Sequence, residues 1–243
     1  MDWLAPHDPI SAWTHGLWML AAIPAGAVLV WKNRGDPGRM IAMSLFAVGL
    51  VACFGSSAVF HAAPEGPLRT RLNLFDHLGI YLLIAGSATP IAVIALRGWW
   101  RRWLLLQIWA LAAAGAVLRV AIVLPPMATT ALYLAMGWVG VVTYFELARR
   151  LSHAALRPLW AGGLCYTVGA VCESLRWPDP WPGVFGHHEL FHLWVMAGAA
   201  FHYYLMLAVL TPYRPPAVTA RTADGTSPAG GGRRDPVRIP QES

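Results

Sequence analysis

Ser57 and His61, in Phe54-Gly55-Ser56-Ser57-Ala58-Val59-Phe60-His61, stand four residues apart. On a helix that spacing puts both side chains on one face, a turn from each other. His188 and His192, in Gly186-His187-His188-Glu189-Leu190-Phe191-His192, repeat the interval, and two imidazoles so spaced can bind one metal ion from a single helical face. His61 would make a third neutral nitrogen ligand. Three such ligands leave a fourth tetrahedral position for water, the pattern of a catalytic rather than a closed structural zinc site. Asp76 opens Asp76-His77-Leu78-Gly79. A carboxylate beside zinc can take the proton of a water whose pKa the metal has lowered to about 7. Ser57 can orient a ligand or donate to an oxyanion.

These residues must be held by helices in a membrane. Of 243 residues, 57% are hydrophobic and 12% charged, whereas a soluble domain carries about 25% charged residues. Apolar runs predict helices near 11–31, 39–62, 72–96, 103–124, 128–147, 156–175 and 187–210, each close to the roughly 20 residues that one crossing needs. The Pro125-Pro126 pair is needed to separate the fourth and fifth, because an unbroken run there would be too long for one crossing. The fold class expected is an all-α membrane protein, a seven-transmembrane-helix bundle over residues 1–212. Residues 213–243, rich in Pro, Gly, Arg and Ser, are expected to be a disordered basic tail. The first ten residues hold Asp2 and Asp8 but no Lys or Arg, so the positive region of a cleaved signal peptide is missing and the first run should remain as a span. Cys53, Cys165 and Cys172 all fall in apolar runs and imply packing rather than disulfides.

The net charge of +6 follows membrane topology rather than nucleic-acid binding. Lys32, Arg34, Arg39, Arg97, Arg101, Arg102, Arg149, Arg150, Arg157, Arg214 and Arg221 gather on one side, against Arg69, Arg71 and Arg176 on the other. The positive-inside rule then places the N-terminus outside and the C-terminus in the cytoplasm of a multi-pass inner-membrane protein. With seven crossings, the end of helix 2 and the starts of helices 3 and 7 fall on one side, so His61, Asp76, His188 and His192 can converge. His77 should point about 100° from Asp76, and His187 should also face elsewhere. His202, about 15 Å beyond His192 by helical rise, reads as a packing residue. His15 is on the correct side but has no partner motif. Arg119, Glu146 and Glu173 lie near helix ends, where long side chains reach the interface, and no chemistry is assigned to them.

At Ser57-x-x-x-His61, at Asp76-His77 with Ile84-Ala85-Gly86-Ser87-Ala88-Thr89-Pro90, and at Pro182-Gly183-Val184-Phe185-Gly186-His187-His188-Glu189-Leu190-Phe191-His192, the sequence resembles the hemolysin III family. That family is related to the progestin and adipoQ receptors and, more distantly, to alkaline ceramidases. The resemblance runs from Thr14-His15 to about Leu210. It implies a seven-helix bundle holding zinc through His61, His188 and His192, with Asp76 reaching the metal through water and Ser57 nearby. It also implies hydrolysis of a lipid amide such as ceramide, with membrane lipid as substrate or ligand. Two alternatives accompany it: a receptor-like membrane sensor with structural zinc, and a pore-forming cytolysin. The adiponectin receptors are described with a cytoplasmic N-terminus, opposite to the charge count here.

His188-Glu189-Leu190-Phe191-His192 also matches the H-E-x-x-H pattern, whose Glu is the general base of a metalloprotease. That reading leaves Ser57, His61 and Asp76 without roles, whereas the hydrolase reading uses them all.

Overall fold

The structure, a computed structural model, describes residues 6–122 and 124–214. From residue 215 onward, the expected tail lies outside the described residues. Four helices open on a proline at their first position: α1 (Pro9–Lys32), α2 (Pro37–Ala62), α3 (Pro67–Pro90) and α5 (Pro126–Val139). A missing N–H costs nothing there, and the fixed φ already suits a helix. Pro90 has the opposite effect inside a helix. Lacking the N–H for an α-helical turn, it precedes a π-helical turn at Ile91–Ala95, and extended Leu96 ends the rod.

α4 (Gly98–Ala121) ends before Pro125-Pro126, so the expected break stands. The fifth rod is itself interrupted: α5 passes through a 3-10 turn at Gly140–Thr143 into the short α6 (Tyr144–Ala148). α7 (His153–Leu175) is capped by Ser152 Oγ, which accepts from Ala155 N at 3.2 Å. α8 (His187–Tyr204) continues as a π-helical segment to Leu210.

Six of these seven rods are long and apolar enough to cross a bilayer: α1, α2, α3, α4, α5 with α6, and α8 with its extension. α7 has 23 residues, but Arg157, Pro158, three glycines and Glu173 dilute its hydropathy. The outer surface is apolar, with Leu17 63%, Leu106 69%, Val117 67% and Phe145 77% exposed. A soluble protein rarely shows so much contiguous apolar surface, so this is a multi-pass membrane bundle facing lipid. Helices adjacent in sequence pack side by side, and α8 closes on α1, where Tyr203 Oη donates to Ala25 O at 3.1 Å.

Two helices begin five residues before the sequence expectation: α4 at Gly98 rather than 103, and α3 at Pro67 rather than 72, where Arg69 is not solvated loop. Its guanidinium turns back to cap α2, donating to Phe60 O at 3.1 Å and Ala63 O at 2.7 Å. At the opposite end, Arg39 closes the last helix by donating to the carbonyls of Leu210 at 2.8 Å and Tyr213 at 2.6 Å. Carbonyls at a helix terminus lack partners in the helix, so Arg39 also ties the start of α2 to the end of α8.

α2 and α3 approach closely because glycines line their contact. A Cβ on Gly79 would stand 2.8 Å from Cys53 Cα, and one on Gly86 2.8 Å from the Leu45 carbonyl oxygen. Both neighbours are backbone and cannot rotate aside. Gly137 has nothing within 4 Å of that position. Gly79→Ala should therefore destabilise the bundle by about 1–3 kcal/mol, the usual cost of overpacking, while Gly137→Ala is tolerated. Thermal unfolding in detergent micelles checks this, and equal midpoints for the two variants would contradict it.

Candidate metal centre

His61 ends α2, while His188 and His192 sit in the first turns of α8, and the three present ligand nitrogens that all lie within 4.8 Å of one another. His61 Nε2 and His188 Nε2 are 3.3 Å apart. Two imidazole lone pairs at that distance repel unless a shared proton or a metal ion lies between them. The spacing fits the edge of a tetrahedron built on zinc–nitrogen bonds of about 2.0–2.1 Å, which is about 3.3 Å. His192 is almost fully buried and its Nδ1 has no hydrogen-bond partner. The donor set is therefore geometrically compatible with a metal ion.

Carboxylates brace two of the rings from behind. His61 Nδ1 lies 2.9 Å from Asp8 Oδ2, and His188 Nδ1 lies 3.3 Å from Glu173 Oε2. In each case the outer nitrogen donates to a carboxylate and the inner one is left with its lone pair facing the cluster, the arrangement that fixes a ligand's tautomer and orientation. Asp8 also accepts from Arg69 Nη2 at 2.6 Å. Burial would raise the Asp8 pKa, but hydrogen bonds from His61, Arg69 and His7 outweigh it and hold the carboxyl well below the usual carboxylate range. Asp8 therefore stays ionised and keeps the His61 ring aimed.

Sequence reasoning missed both carboxylates. Asp8 had entered only the argument about a signal peptide, and Glu173 had been set aside as a helix-end residue. The signal for Asp8 was its place before Pro9: an Asp at a helix N-cap normally caps, and this one makes no side-chain cap, which leaves it free for His61. Glu173 is two residues before the helix end, where left-handed Arg176 turns the chain back. It accepts from His187 Nδ1 at 3.0 Å as well, so His187 faces this carboxylate rather than the cluster.

Asp76 lies outside the group of three close donors but lines the same cavity, with the Ser57 hydroxyl beside it. His77 turns away, as expected, with Nδ1 2.8 Å from the Asn73 carbonyl. Glu189 caps α8: Gly186 N donates to Oε2 at 2.9 Å and Ser11 Oγ to Oε1 at 3.2 Å. Those contacts leave the protease reading without a free general base. His202, deep in the bundle, packs at 5.3 Å edge-on to Tyr166. His15 proves closer to the centre than its isolation in sequence suggested, stacking on His192 with ring centroids 3.9 Å apart.

From the cluster a cavity of about 1160 Å³ runs inward past Ile84, Leu104, Ile108 and Met136. It is mostly apolar beyond a polar end, the usual character of a small-molecule site, and slightly larger than the roughly 300–1,000 Å³ of typical pockets.

Residues 4–203 match the protein family described as "Haemolysin-III related". The chain is 30% identical over 200 residues to the Hemolysin-3 homolog of Bacillus subtilis (strain 168), an alignment covering 81% of this chain and 91% of that protein. It is 30% identical over 205 residues to Hemolysin-3 of Bacillus cereus, covering 83% and 91%. With the human monocyte to macrophage differentiation factor it shares 29% over 219 residues, covering 85% and 84%.

If Asp8 orients His61 for a metal, Asp8→Asn should weaken zinc affinity by about 10–100-fold, the usual effect of removing a partner that orients a ligand. Competition against a chelator of known affinity measures this, and unchanged affinity would remove Asp8 from the site.

Proposed function

The chain belongs to the haemolysin-III-related family, and from that premise we propose that it is a membrane-embedded zinc hydrolase acting on the acyl amide, as in ceramide, or acyl ester of a membrane lipid. One observation carries the reading: two imidazole Nε2 atoms 3.3 Å apart, with a third His beside them, at the polar end of an apolar cavity. His61, His188 and His192 hold the ion. Zinc in such a site supplies Lewis acidity toward a carbonyl and lowers the pKa of water.

The chain's own residues do the remaining work. Asp76 accepts the proton of the attacking water at its carboxylate, then returns it to the leaving amine or alcohol. Ser57 donates to that carboxylate and fixes its direction. Asp8 and Glu173 accept from the outer nitrogens of His61 and His188, which fixes each tautomer and keeps both rings aimed. The apolar wall formed by Leu104, Ile108 and Met136 takes the acyl chain.

All seven rods cross the bilayer in this reading, α7 among them because it packs against α5 and α8 and turns Leu164, Val168 and Val171 outward like the lipid-facing residues of the other rods. The N-terminus and the metal lie outside, following the excess of Lys and Arg on the opposite side. A pore would need a polar stripe through the bundle. Among the described residues the charged side chains of the cavity gather at one end, which supports a hydrolase over a cytolysin.

Asp76→Asn should lower lipid amide or ester hydrolysis by about 10²–10⁴-fold, the range for loss of a general base, with zinc content unchanged. Liposome assays with product detection by mass spectrometry check this. Full activity in the variant would overturn the proposal, and a lipid that binds without product in the wild type would favour a sensor.

A further inference from the structure

Arg119 is a partly buried charged group of the cavity for which neither the fold nor the proposed reaction accounts. It lies two residues before the end of α4 and lines the cavity. Its Nη2 donates to Asn73 Oδ1 at 2.8 Å, but its Nε is buried with no hydrogen-bond partner. Among the described residues Arg119 makes no ion pair.

The cavity's carboxylates are already committed. Asp8 answers His61 and Arg69, Glu173 answers His187 and His188, Glu189 caps α8, and Asp76 has Ser57 beside it. A guanidinium inside a span without a counter-ion is costly. Gly115, one turn earlier, lets the Tyr81 ring seat against α4, where a Cβ would clash with it. Tyr133, which also lines the cavity, donates its hydroxyl to the His77 carbonyl at 3.4 Å.

Position identifies the ligand. Asn73 precedes Asp76 by one turn of α3, about 4.5 Å of helical rise toward the end of the bundle. An oxyanion on Arg119 would thus sit one turn outward of the reacting carboxylate, as a phosphate sits outward of the acyl carbonyls in a glycerophospholipid. Arg pairs well with phosphate through its planar array of donors, and no free carboxylate waits nearby for the ammonium of a zwitterionic head group. We infer that Arg119 is the head-group site of this cavity and selects a lipid carrying an anionic phosphate. The inference rests on the reading that a lipid enters the cavity, and it names that lipid's class.

The test is native mass spectrometry of the detergent-purified full chain offered equimolar dioleoyl phosphatidylglycerol and dioleoylglycerol, which lacks the phosphate. Wild type should retain the phosphate-bearing lipid about tenfold over the neutral one, the factor that one charge-assisted hydrogen bond supplies. Arg119→Lys should keep most of that preference. Arg119→Gln, which still has a donor for Asn73 but no charge, should lose it while its unfolding midpoint stays near that of wild type. No preference in wild type, or a preference that survives in Arg119→Gln, overturns the inference. So does displacement of the lipid by equimolar sn-glycerol 3-phosphate, which would make this a site for soluble phosphate esters. If Arg119→Gln does not fold, Arg119→Met, which keeps the side chain's length without its charge, takes its place: it should lose the preference, and a preference that survives in it overturns the inference. Each measurement is made with zinc-loaded and chelator-stripped protein: a lipid preference without any hydrolysis would sink the hydrolase and leave the head-group site standing.

Discussion

Every polar group carried into a bilayer must find its partner on the protein, since lipid offers none. Around the three imidazoles that rule has shaped the end of the bundle. His61 is answered by Asp8, which is itself neutralised by Arg69, and Arg69 in turn caps α2 with its remaining donors. His188 is answered by Glu173, which also holds His187. Glu189 closes the first turn of α8, and Ser11 reaches it from α1. Five helices are thus tied by one polar network: α1, α2, α3, α7 and α8.

Close packing makes the network possible. Gly79 lies one turn from Asp76 on α3 and lets the backbone of α2 approach it, which brings Ser57 beside Asp76 and sets His61 toward α8. At the far end, Arg39 satisfies the last carbonyls of the chain's final helix. A cation that would ordinarily be counted as a topological signal is there a structural cap. The same residue type therefore does three different things in this chain: Arg39 closes a helix end, Arg69 supports a ligand, and Arg119 is left facing a cavity.

The positions of the helices were legible because apolar runs and prolines are local signals, and four of the prolines open helices. The three His were legible because a four-residue interval already defines a helical face, and parity brings the right ends together. Asp8 and Glu173 were not legible, since a carboxylate at a helix end is ordinarily solvated or capping and only tertiary contact distinguishes it. Arg69 misled for the same reason: read as a loop charge, it delayed the expected start of α3 by a turn. His15 carries no spacing signal at all, and its stack on His192 depends on α8 closing against α1. Arg119 resembles a snorkelling residue in sequence, and only the buried, unpartnered Nε separates it from one.

Elemental analysis of detergent-purified protein, prepared without chelators, tests most directly whether three imidazoles gather here to hold zinc. Wild type should carry close to one zinc ion per chain, and the double variant His188→Ala, His192→Ala should carry almost none while remaining folded. Wild type that holds no metal and takes up no added zinc would contradict this, and the buried histidines would then be a hydrogen-bonded network that binds no ion.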